Sequence, residues 1–401
     1  MQKNYMIKMV MILAPYVFSF AFAMDVYIPS VPQMMLALHT SQENIQITLS
    51  IFIFVIGVGQ LLIGPLSDQF GRRKIALLGT IVFTLGSLLC ALASNISILI
   101  IARMIQALGA CGMIVVAMAI VRDLFSGDEA AKVYSFLNCG IAMSPLFAPI
   151  IGGYLAKWFG WRAAFFFLLL LGILAFFLAF FKIKETLPME KRIKVNGDIF
   201  KRYWQIISNP TFCTFALIAF AALTMFFTFF SSSAYIIINL LHTPMQHFGF
   251  YFFLVGVSFF IGSIVSGKLA GVLGTFKTVA TGVIILSLSG LLMLAWYLSF
   301  GVSLAEFIVP SMLSAFGGAF MVGGSAAGAM QLFPHMAGAA AAALGSIEFI
   351  GAAIVGNIVL LWKIQSTLPY NIALLLLAGL SLIAITTYKL MIVKEKEVEL
   401  C

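Results

Sequence analysis

Residues 59–79, "GQLLIGPLSDQFGRRKIALLG", align without a gap with residues 262–282, "GSIVSGKLAGVLGTFKTVATG". Four glycines and one lysine recur at a constant shift of 203 residues: Gly59 and Gly262, Gly64 and Gly267, Gly71 and Gly274, Lys74 and Lys277, Gly79 and Gly282. Such a match indicates that the chain repeats one structural unit. The charges Asp68, Arg72 and Arg73 are replaced in the second copy. They are therefore not needed to make the turn that both halves share.

The sequence around both windows is apolar. Of the 401 residues, 62% are hydrophobic and 9% are charged, whereas soluble domains have about 25% charged residues. Because a helix crosses a bilayer with about 20 apolar residues, we predict an all-α integral membrane protein. The long continuous runs exclude the alternating strands of a membrane barrel. Twelve spans are predicted, near residues 8–36, 44–66, 74–94, 97–121, 130–155, 160–182, 210–237, 247–270, 277–298, 303–330, 338–361 and 369–391.

A long polar segment at residues 182–205 divides these spans into two sets of six. The predicted organisation is an N-terminal six-helix bundle at 1–182, a cytoplasmic linker at 183–209, a C-terminal six-helix bundle at 210–393 and a cytoplasmic tail at 394–401. Both repeat windows lie on the loop between the second and third span of their half. Two parallel six-span halves are typical of transporters that rock around a site at the membrane midplane.

The distribution of positive charge predicts the orientation in the membrane. The formal net charge is +9, and nineteen of the 23 Lys and Arg fall on one side of the twelve-span arrangement, with the termini and the linker. Cytoplasmic loops carry such an excess of Lys and Arg, so we expect both termini in the cytoplasm. This placement leaves no basic surplus that would indicate a nucleic-acid partner.

Residues that would indicate catalysis or metal binding show no matching pattern in the sequence. The four His are scattered over predicted loops, and the five Cys lack metal-ligand spacing. There is no phosphate-binding loop. We therefore expect neither an enzyme nor a cofactor or metal site, and transport would use an ion gradient rather than ATP.

Four stretches resemble motifs of the major facilitator superfamily. "GPLSDQFGRRK" at 64–74 is similar to its loop between spans two and three, and "RMIQALGACGMIVVAMAIVRDLF" at 103–125 to its fourth span. "GIAMSPLFAPIIGGYL" at 140–155 is similar to the antiporter motif of span five, and "AGAAAAALGSIEFIGAAIVG" at 337–356 to span eleven of the Bcr/CflA drug-resistance subfamily. The chain resembles the twelve-span drug:proton antiporters of that subfamily. It departs from the usual pattern at Ala148, where the motif has Gly, and at Glu348, where a neutral polar residue is commoner.

The resemblance implies two sets of functional residues. A conformational gate would consist of Gly64, Asp68, Gly71, Arg72, Arg73 and Asp123. In this gate Asp68 would face a helix N-terminus of the other half, and Arg72 would pair with Asp123. The antiporter motif would consist of Gly140, Pro145, Pro149, Gly152 and Gly153. Pro bends a helix and Gly permits close helix approach, so span five would be bent and tightly packed. Ordinary kinked membrane packing is the alternative.

Ionisable residues inside the spans are the candidates for proton coupling and the substrate cavity: Asp25, Arg103 and Glu348. Each costs at least about 2.5 kcal/mol at mid-span. Asp25 is the first candidate for the proton carrier, because loss of water favours a neutral carboxyl group. The alternative is an acid held permanently by a base.

Arg103 keeps its proton and is either a fixed counter-charge or a substrate anchor. If it approached Asp25, the two would form a switch. A structural contact is the alternative. Glu348 would attract cationic drugs or, when protonated, would hydrogen-bond a neighbouring helix. Glu306, at the outer end of span ten, is expected at the membrane interface.

The predicted function is export of small amphipathic, antibiotic-like molecules across the inner membrane by a monomer, driven by protons through alternating access. An importer or exporter of a small metabolite with the same fold is the alternative. A receptor or assembly factor that transports nothing is a third class.

Overall fold

The computed structural model describes residues 2–125, 127–192, 198–333, 336–360 and 366–399. Parts of the predicted linker (193–197) and tail (400–401), as well as His335 and Lys363, lie outside the described residues. In the described part, twelve helices are long and apolar enough to cross a membrane, and no residue is in a strand. The twelve predicted spans are confirmed, with ends that differ by a few residues.

The helices up to the linker are α1 (Gln2–Asp25), α2 (Val31–Ala37), α3 (Gln42–Phe70), α4 (Arg72–Leu92), α5 (Ile96–Leu124), α6 (Gly127–Phe159) and α7 (Arg162–Lys182). Those after it are α8 (Asp198–Ile207), α9 (Pro210–Ala234), α10 (Met245–Leu273), α11 (Thr275–Phe300), α12 (Leu304–Gln331), α13 (Ala337–Leu360) and α14 (Leu368–Glu399). The first span consists of α1 and α2, and α8 is a short additional helix. A π-helical turn, Tyr235–Leu240, follows α9.

The chain forms two compact units. The first comprises Met1–Asn196 and Ile237–Phe253, and the second comprises Gly197–Ile236 and Leu254–Cys401. The same pattern of contacts between spans occurs within each unit. In each, the third span packs on the fourth and sixth, and the first span packs on the fourth, fifth and sixth. This agreement gives the sequence repeat a structural counterpart.

Two of the repeated glycines are required by the backbone. Gly71 has φ +97° and Gly274 has φ +82°, and each is the residue before the third span of its unit. A residue with a side chain rarely adopts positive φ. The turn between the second and third span therefore explains why Gly recurs at this position.

Other repeated glycines lie where helices meet. A Cβ atom on Gly79 would stand 3.2 Å from the carbonyl oxygen of Gly109, and one on Gly282 would stand 2.6 Å from that of Gly317. In each unit the third and fourth spans approach backbone to backbone at this point, as small residues allow in membranes. By contrast, a methyl group on Gly64 or Gly267 would meet nothing within 4 Å, so packing does not explain why Gly recurs there.

Candidate functional site

The first span is interrupted at its middle. Helix α1 ends at Asp25, a 3₁₀ turn at Ile28–Ser30 follows, and α2 begins at Val31. Pro29 lies in this turn, and proline has no N–H with which to continue the helix. The last carbonyl groups of a helix lack donors within it. The break therefore leaves polar backbone groups and the Asp25 carboxyl deep in the first unit, where Asp25 is 3% exposed.

Arg103 of α5 provides a hydrogen-bond donor for a backbone carbonyl group at this break. Its guanidinium is fully buried, and its Nη1 donates to the carbonyl oxygen of Ala23 at 3.0 Å. Its Nε donates to the carbonyl oxygen of Thr48 at 3.3 Å. A cation near a helix C-terminus is favoured by the helix dipole. Arg103 thus acts as a cap for α1 and also ties it to α3.

Aromatic and amide groups complete the surroundings of Arg103. Its guanidinium lies over the rings of Tyr27 and Phe52, at 4.7 and 4.1 Å from the ring centres. Its Nη1 also donates to Oε1 of Gln106 at 2.6 Å, and Nε2 of Gln106 donates to Ser87 at 2.8 Å. Desolvated cation–π contacts stabilise a buried guanidinium. The result is a polar network that connects α1, α3, α4 and α5.

Asp25 contacts a different helix. Its Oδ2 accepts a hydrogen bond of 2.7 Å from the hydroxyl of Ser144, which belongs to the antiporter motif of α6. Its Oδ1 has no hydrogen-bond donor among the described residues. Asp25 and Arg103 form no ion pair within 4 Å in the described part of the chain. The condition for a direct Asp25–Arg103 switch is therefore not met in this conformation.

Helix α6 runs along the broken span at close range. A side chain on Gly152 would collide with the carbonyl oxygen of Val26, one residue beyond Asp25. A Cβ atom on Gly140 would be in ordinary contact, at 3.4 Å, with the ring of Phe18. Pro145 and Pro149 lie inside the helix between these glycines. The glycines thus bring the antiporter motif against the break, and Ser144 lies between them.

The far end of the antiporter motif lines a pocket within the first unit. Pro149 and Gly153 border a space of ≈ 260 Å³, together with Gly249 at the start of α10. A Cβ atom on Gly249 would stand 3.0 Å from Cα of Ile150. All these residues belong to the first unit.

Arg72 organises a second cluster, in the loop between α3 and α4. Its Nη2 pairs with Asp68 at 2.5 Å, its Nε pairs with Asp123 at 3.0 Å, and its Nη1 donates to Ser67. Arg72 is 2% exposed, whereas Asp68 is 37% exposed. The Arg72–Asp123 pair implied by the family resemblance is present. We call Ser67, Asp68, Arg72 and Asp123 the gate cluster.

The other predicted gate residues lie beside this cluster, and each makes a different contact or backbone turn. Nη2 of Arg73 donates to the carbonyl oxygen of Phe180 at 3.0 Å, at the end of α7. The carbonyl oxygen of Gly64 accepts from Ser67 at 2.8 Å. Gly71 supplies the positive φ of the turn. The six predicted gate residues thus lie at adjoining ends of α3, α4 and α5, and Arg73 also contacts the end of α7.

The start of the linker folds back onto the gate cluster. Oε1 of Glu185 accepts from the backbone N–H of Arg72 at 2.8 Å, and its Oε2 lies 3.5 Å from Nη2 of Arg192. The hydroxyl of Thr186 donates to Asp123 at 2.9 Å. Gly71, the residue before α4, has no side chain to cap that helix. Glu185 therefore caps α4 from the linker, where its negative charge is favoured by the helix dipole.

Two further acids lie in the second unit. Glu348 of α13 is half-buried, and none of the ion pairs among the described residues involves it. Glu306 lies in the first turn of α12, and its side chain is fully buried. Its Oε1 accepts from the hydroxyl of Thr367 at 2.8 Å. Glu306 is thus at a helix end, as expected, but its side chain contacts Thr367 rather than solvent.

Sequence reasoning missed Ser144, Gln106 and Glu185. Ser144 and Gln106 lie within the family motifs, yet small polar residues are common in membrane helices and carry no pairing signal of their own. Glu185 is one charge among many in the linker. Its position three residues after α7 was the available signal, because that end of the bundle also holds Arg72.

Comparison with known proteins identifies relatives that match most of the chain. Residues 13–356 match the family model of the Major Facilitator Superfamily. The chain is similar to a bicyclomycin resistance protein homolog of Haemophilus influenzae, with 31% identity over 87% of each chain. It is also similar to a chloramphenicol resistance protein of Pseudomonas aeruginosa, with 32% identity over 91% of this chain and 85% of the relative. The crystal structure of the human organic anion transporter MFSD10 has the same fold, with a TM-score of 0.70 at 17% identity over 95% of this chain and 99% of that one.

Proposed function

This chain belongs to the major facilitator superfamily and, within it, to the Bcr/CflA drug-resistance subfamily, and on that premise we propose that it is a proton-coupled exporter of small antibiotic-like molecules. It is a multi-pass membrane protein with twelve spans. The resistance names of its relatives support drug export as the activity. The placement of Lys and Arg supports an inner-membrane orientation with both termini in the cytoplasm.

One contact carries the proposed mechanism, the hydrogen bond from Ser144 to Asp25. It links the candidate proton carrier to the antiporter motif. A hydrogen bond to an ionised carboxylate is roughly twice as strong as one to a neutral group. Binding of a proton to Asp25 would therefore weaken the attachment of α6 to the break in the first span. Loss of the proton would restore it.

Asp25 is suited to this task because one of its oxygens is unengaged. Oδ1 has no donor among the described residues, so a proton can bind there without breaking the contact of Oδ2. A polypeptide break at mid-span is also where transporters place their coupling sites. One inward proton releases about 2.3 kcal/mol per 100 mV and about 1.4 kcal/mol per pH unit. These amounts can drive a substantial outward gradient of a drug.

Arg103 has a different role in this proposal. It is a permanent cation whose Nε donates to Thr48 and whose Nη1 donates to Ala23 and Gln106. Protonation of Asp25 would not release it, since the two do not pair in this conformation. We assign to Arg103 the task of keeping the first span broken in a fixed geometry. Asp25 then remains correctly placed in both protonation states.

The gate cluster is proposed to hold one conformational state. Arg72 joins α3 to α5 through Asp68 and Asp123, while the linker closes over it through Glu185 and Thr186. These contacts would have to open when the adjoining helix ends separate during alternating access.

Glu348 lies in the second unit and is proposed to attract cationic substrates, since no ion pair among the described residues neutralises it.

Transport in everted membrane vesicles tests the proposal. Chloramphenicol and bicyclomycin are the first probes, because relatives are named for resistance to them. The wild-type protein should accumulate a probe in the vesicles only while the proton gradient is maintained. Asp25→Asn should abolish this accumulation at an unchanged protein level. Glu190→Gln, a change in an exposed acid of the linker, is the matched control and should transport normally.

Three outcomes would contradict the mechanism or the function. Accumulation that survives collapse of the gradient excludes proton coupling. Normal transport by Asp25→Asn excludes Asp25 as the carrier. Movement of substrate in the same direction as the proton identifies the alternative, a proton-coupled importer of the same fold.

A further inference from the structure

Helix α8 has an apolar surface that the bundle does not cover. The helix reads "DIFKRYWQII" and precedes α9 by two residues. Phe200 is 77% exposed and Trp204 is 69% exposed, although both are large apolar side chains. They are four residues apart and therefore lie on one face. α8 is not one of the spans, so a bilayer core does not explain this exposure.

The side chains of α8 fall into three sectors around its axis. At about 100° per residue, Tyr203 and Ile206 form the first sector, and Phe200, Trp204 and Ile207 form the second, centred about 100° away. Lys201, Arg202 and Gln205 form the third, polar sector, and all three are exposed. The apolar arc is thus wider than the contact with the bundle. Lys201 borders it next to Trp204.

The first sector fixes how α8 is attached. Ile206 is fully buried, and Tyr203 packs with it in a core cluster. The cluster includes Phe212 and Phe215, which lie in the first two turns of α9. α8 is therefore held against the end of the bundle at the level where the seventh span begins. A helix is about 10–12 Å across with its side chains, so its second sector lies within reach of the membrane boundary.

We propose that α8 lies in the lipid headgroup layer, with Phe200 and Trp204 inserted beside the bundle and Lys201 and Arg202 at anionic phosphates. Aromatic side chains with a polar or amphipathic ring are favoured at this depth. A helix with a basic polar face and an aromatic apolar face binds membranes that contain anionic lipid. The linker is thereby anchored at the point where it enters the second unit. The occupant of this surface is the anionic phospholipid of the surrounding bilayer.

Fluorescence of Trp204 tests the depth of the helix. The full-length protein and its Trp204→Phe variant are reconstituted in vesicles of phosphatidylcholine with or without phosphatidylglycerol, and the difference in emission isolates Trp204. Phospholipid brominated near the headgroup end of its acyl chains should quench this difference signal. Acrylamide in the aqueous phase should quench it weakly. Strong quenching by acrylamide without quenching by brominated lipid would overturn the proposal and would indicate a surface open to water or to a soluble protein.

The basic residues are tested by the dependence on lipid charge. A base near an anionic surface contributes about a fivefold change in partitioning. Phosphatidylglycerol should therefore increase the brominated-lipid quenching of Trp204 in the wild type, and Lys201→Gln combined with Arg202→Gln should remove most of that increase. Lys184→Gln, an exposed base elsewhere in the linker, is the control and should retain it. An increase that is the same in the double variant would overturn the assignment of the bases to lipid phosphates.

Discussion

The hydroxyl of Ser144 donates a 2.7 Å hydrogen bond to Oδ2 of Asp25, and this contact attaches the middle of α6 to the break in the first span. A hydrogen bond to a charged group contributes about 1.5–3 kcal/mol. If the Ser144–Asp25 hydrogen bond transmits the protonation of Asp25 to α6, loss of this bond should uncouple proton binding from substrate movement.

Ser144→Ala should reduce proton-driven efflux by about tenfold or more. Exchange of substrate across the membrane without a gradient should change little, because the substrate cavity is not altered. Parallel measurements of gradient-driven efflux and of exchange in proteoliposomes separate the two. Ser144→Thr retains the donor and should restore coupling. Equal losses in both assays for Ser144→Ala would indicate a structural role.

Gly152→Ala should impair packing between α6 and the broken span. The new methyl group would collide with the carbonyl oxygen of Val26, and overpacking of this kind costs about 1–3 kcal/mol. We expect a lower midpoint of thermal unfolding in detergent and reduced efflux. Gly323→Ala is the matched control, since a methyl group there would meet nothing within 4 Å and Gly323 belongs to no predicted site. Equal stability of the two variants would contradict the close contact at Gly152.

Replacement of Arg103 should destabilise the first unit in a graded way. Arg103→Ala leaves the carbonyl oxygen of Ala23 without its donor and empties the space over Tyr27 and Phe52. Arg103→Lys retains the charge but not the planar group that contacts several acceptors and ring faces at once. Thermal unfolding should therefore rank the wild type above Lys and Lys above Ala. A Lys variant as stable as the wild type would reduce the role of Arg103 to that of a charge alone.

Glu185→Gln should loosen the first turn of α4. The carboxylate accepts the backbone N–H of Arg72; Gln retains an acceptor oxygen but loses the negative charge, which contributes up to about 1 kcal/mol at a helix N-terminus. Hydrogen exchange of the Arg72 amide should accelerate by about fivefold. Glu190→Gln, on the same linker, should leave this exchange rate unchanged. Unchanged exchange in Glu185→Gln would mean that the linker does not stabilise the gate cluster.

The repeated turn glycines give a matched pair of variants. Gly71→Ala and Gly274→Ala both force a residue with a side chain into positive φ with extended ψ, at a cost of about 1–3 kcal/mol. A methyl group at Gly274 meets nothing else, whereas one at Gly71 also meets the Glu185 carboxylate. Gly71→Ala should therefore lower the unfolding midpoint more. When both variants also carry Glu185→Ala, the difference between their unfolding midpoints should become smaller.

Much of the fold followed from local sequence. Apolar runs of about 20 residues identified all twelve spans, and the ungapped match between the two windows predicted a division into two halves. The resemblance also placed Arg72 beside Asp123. The break in the first span was not predicted, because Pro29 and Pro32 stand in a run that remains apolar. Prolines are tolerated in many membrane helices, so hydropathy alone does not distinguish a kink from an interruption.

The sequence by itself determined the number, order and length of the membrane helices, because each span must satisfy its backbone hydrogen bonds internally and must be predominantly apolar. It also identified Asp25 and Arg103 as costly charges that require partners. Only the tertiary structure decided which partners they have. Arg103 reaches the carbonyl of Ala23, 80 residues away, and Asp25 reaches Ser144, 119 residues away. These choices depend on where α1 ends and on how closely Gly152 lets α6 approach, and neither is encoded in the hydrophobic pattern.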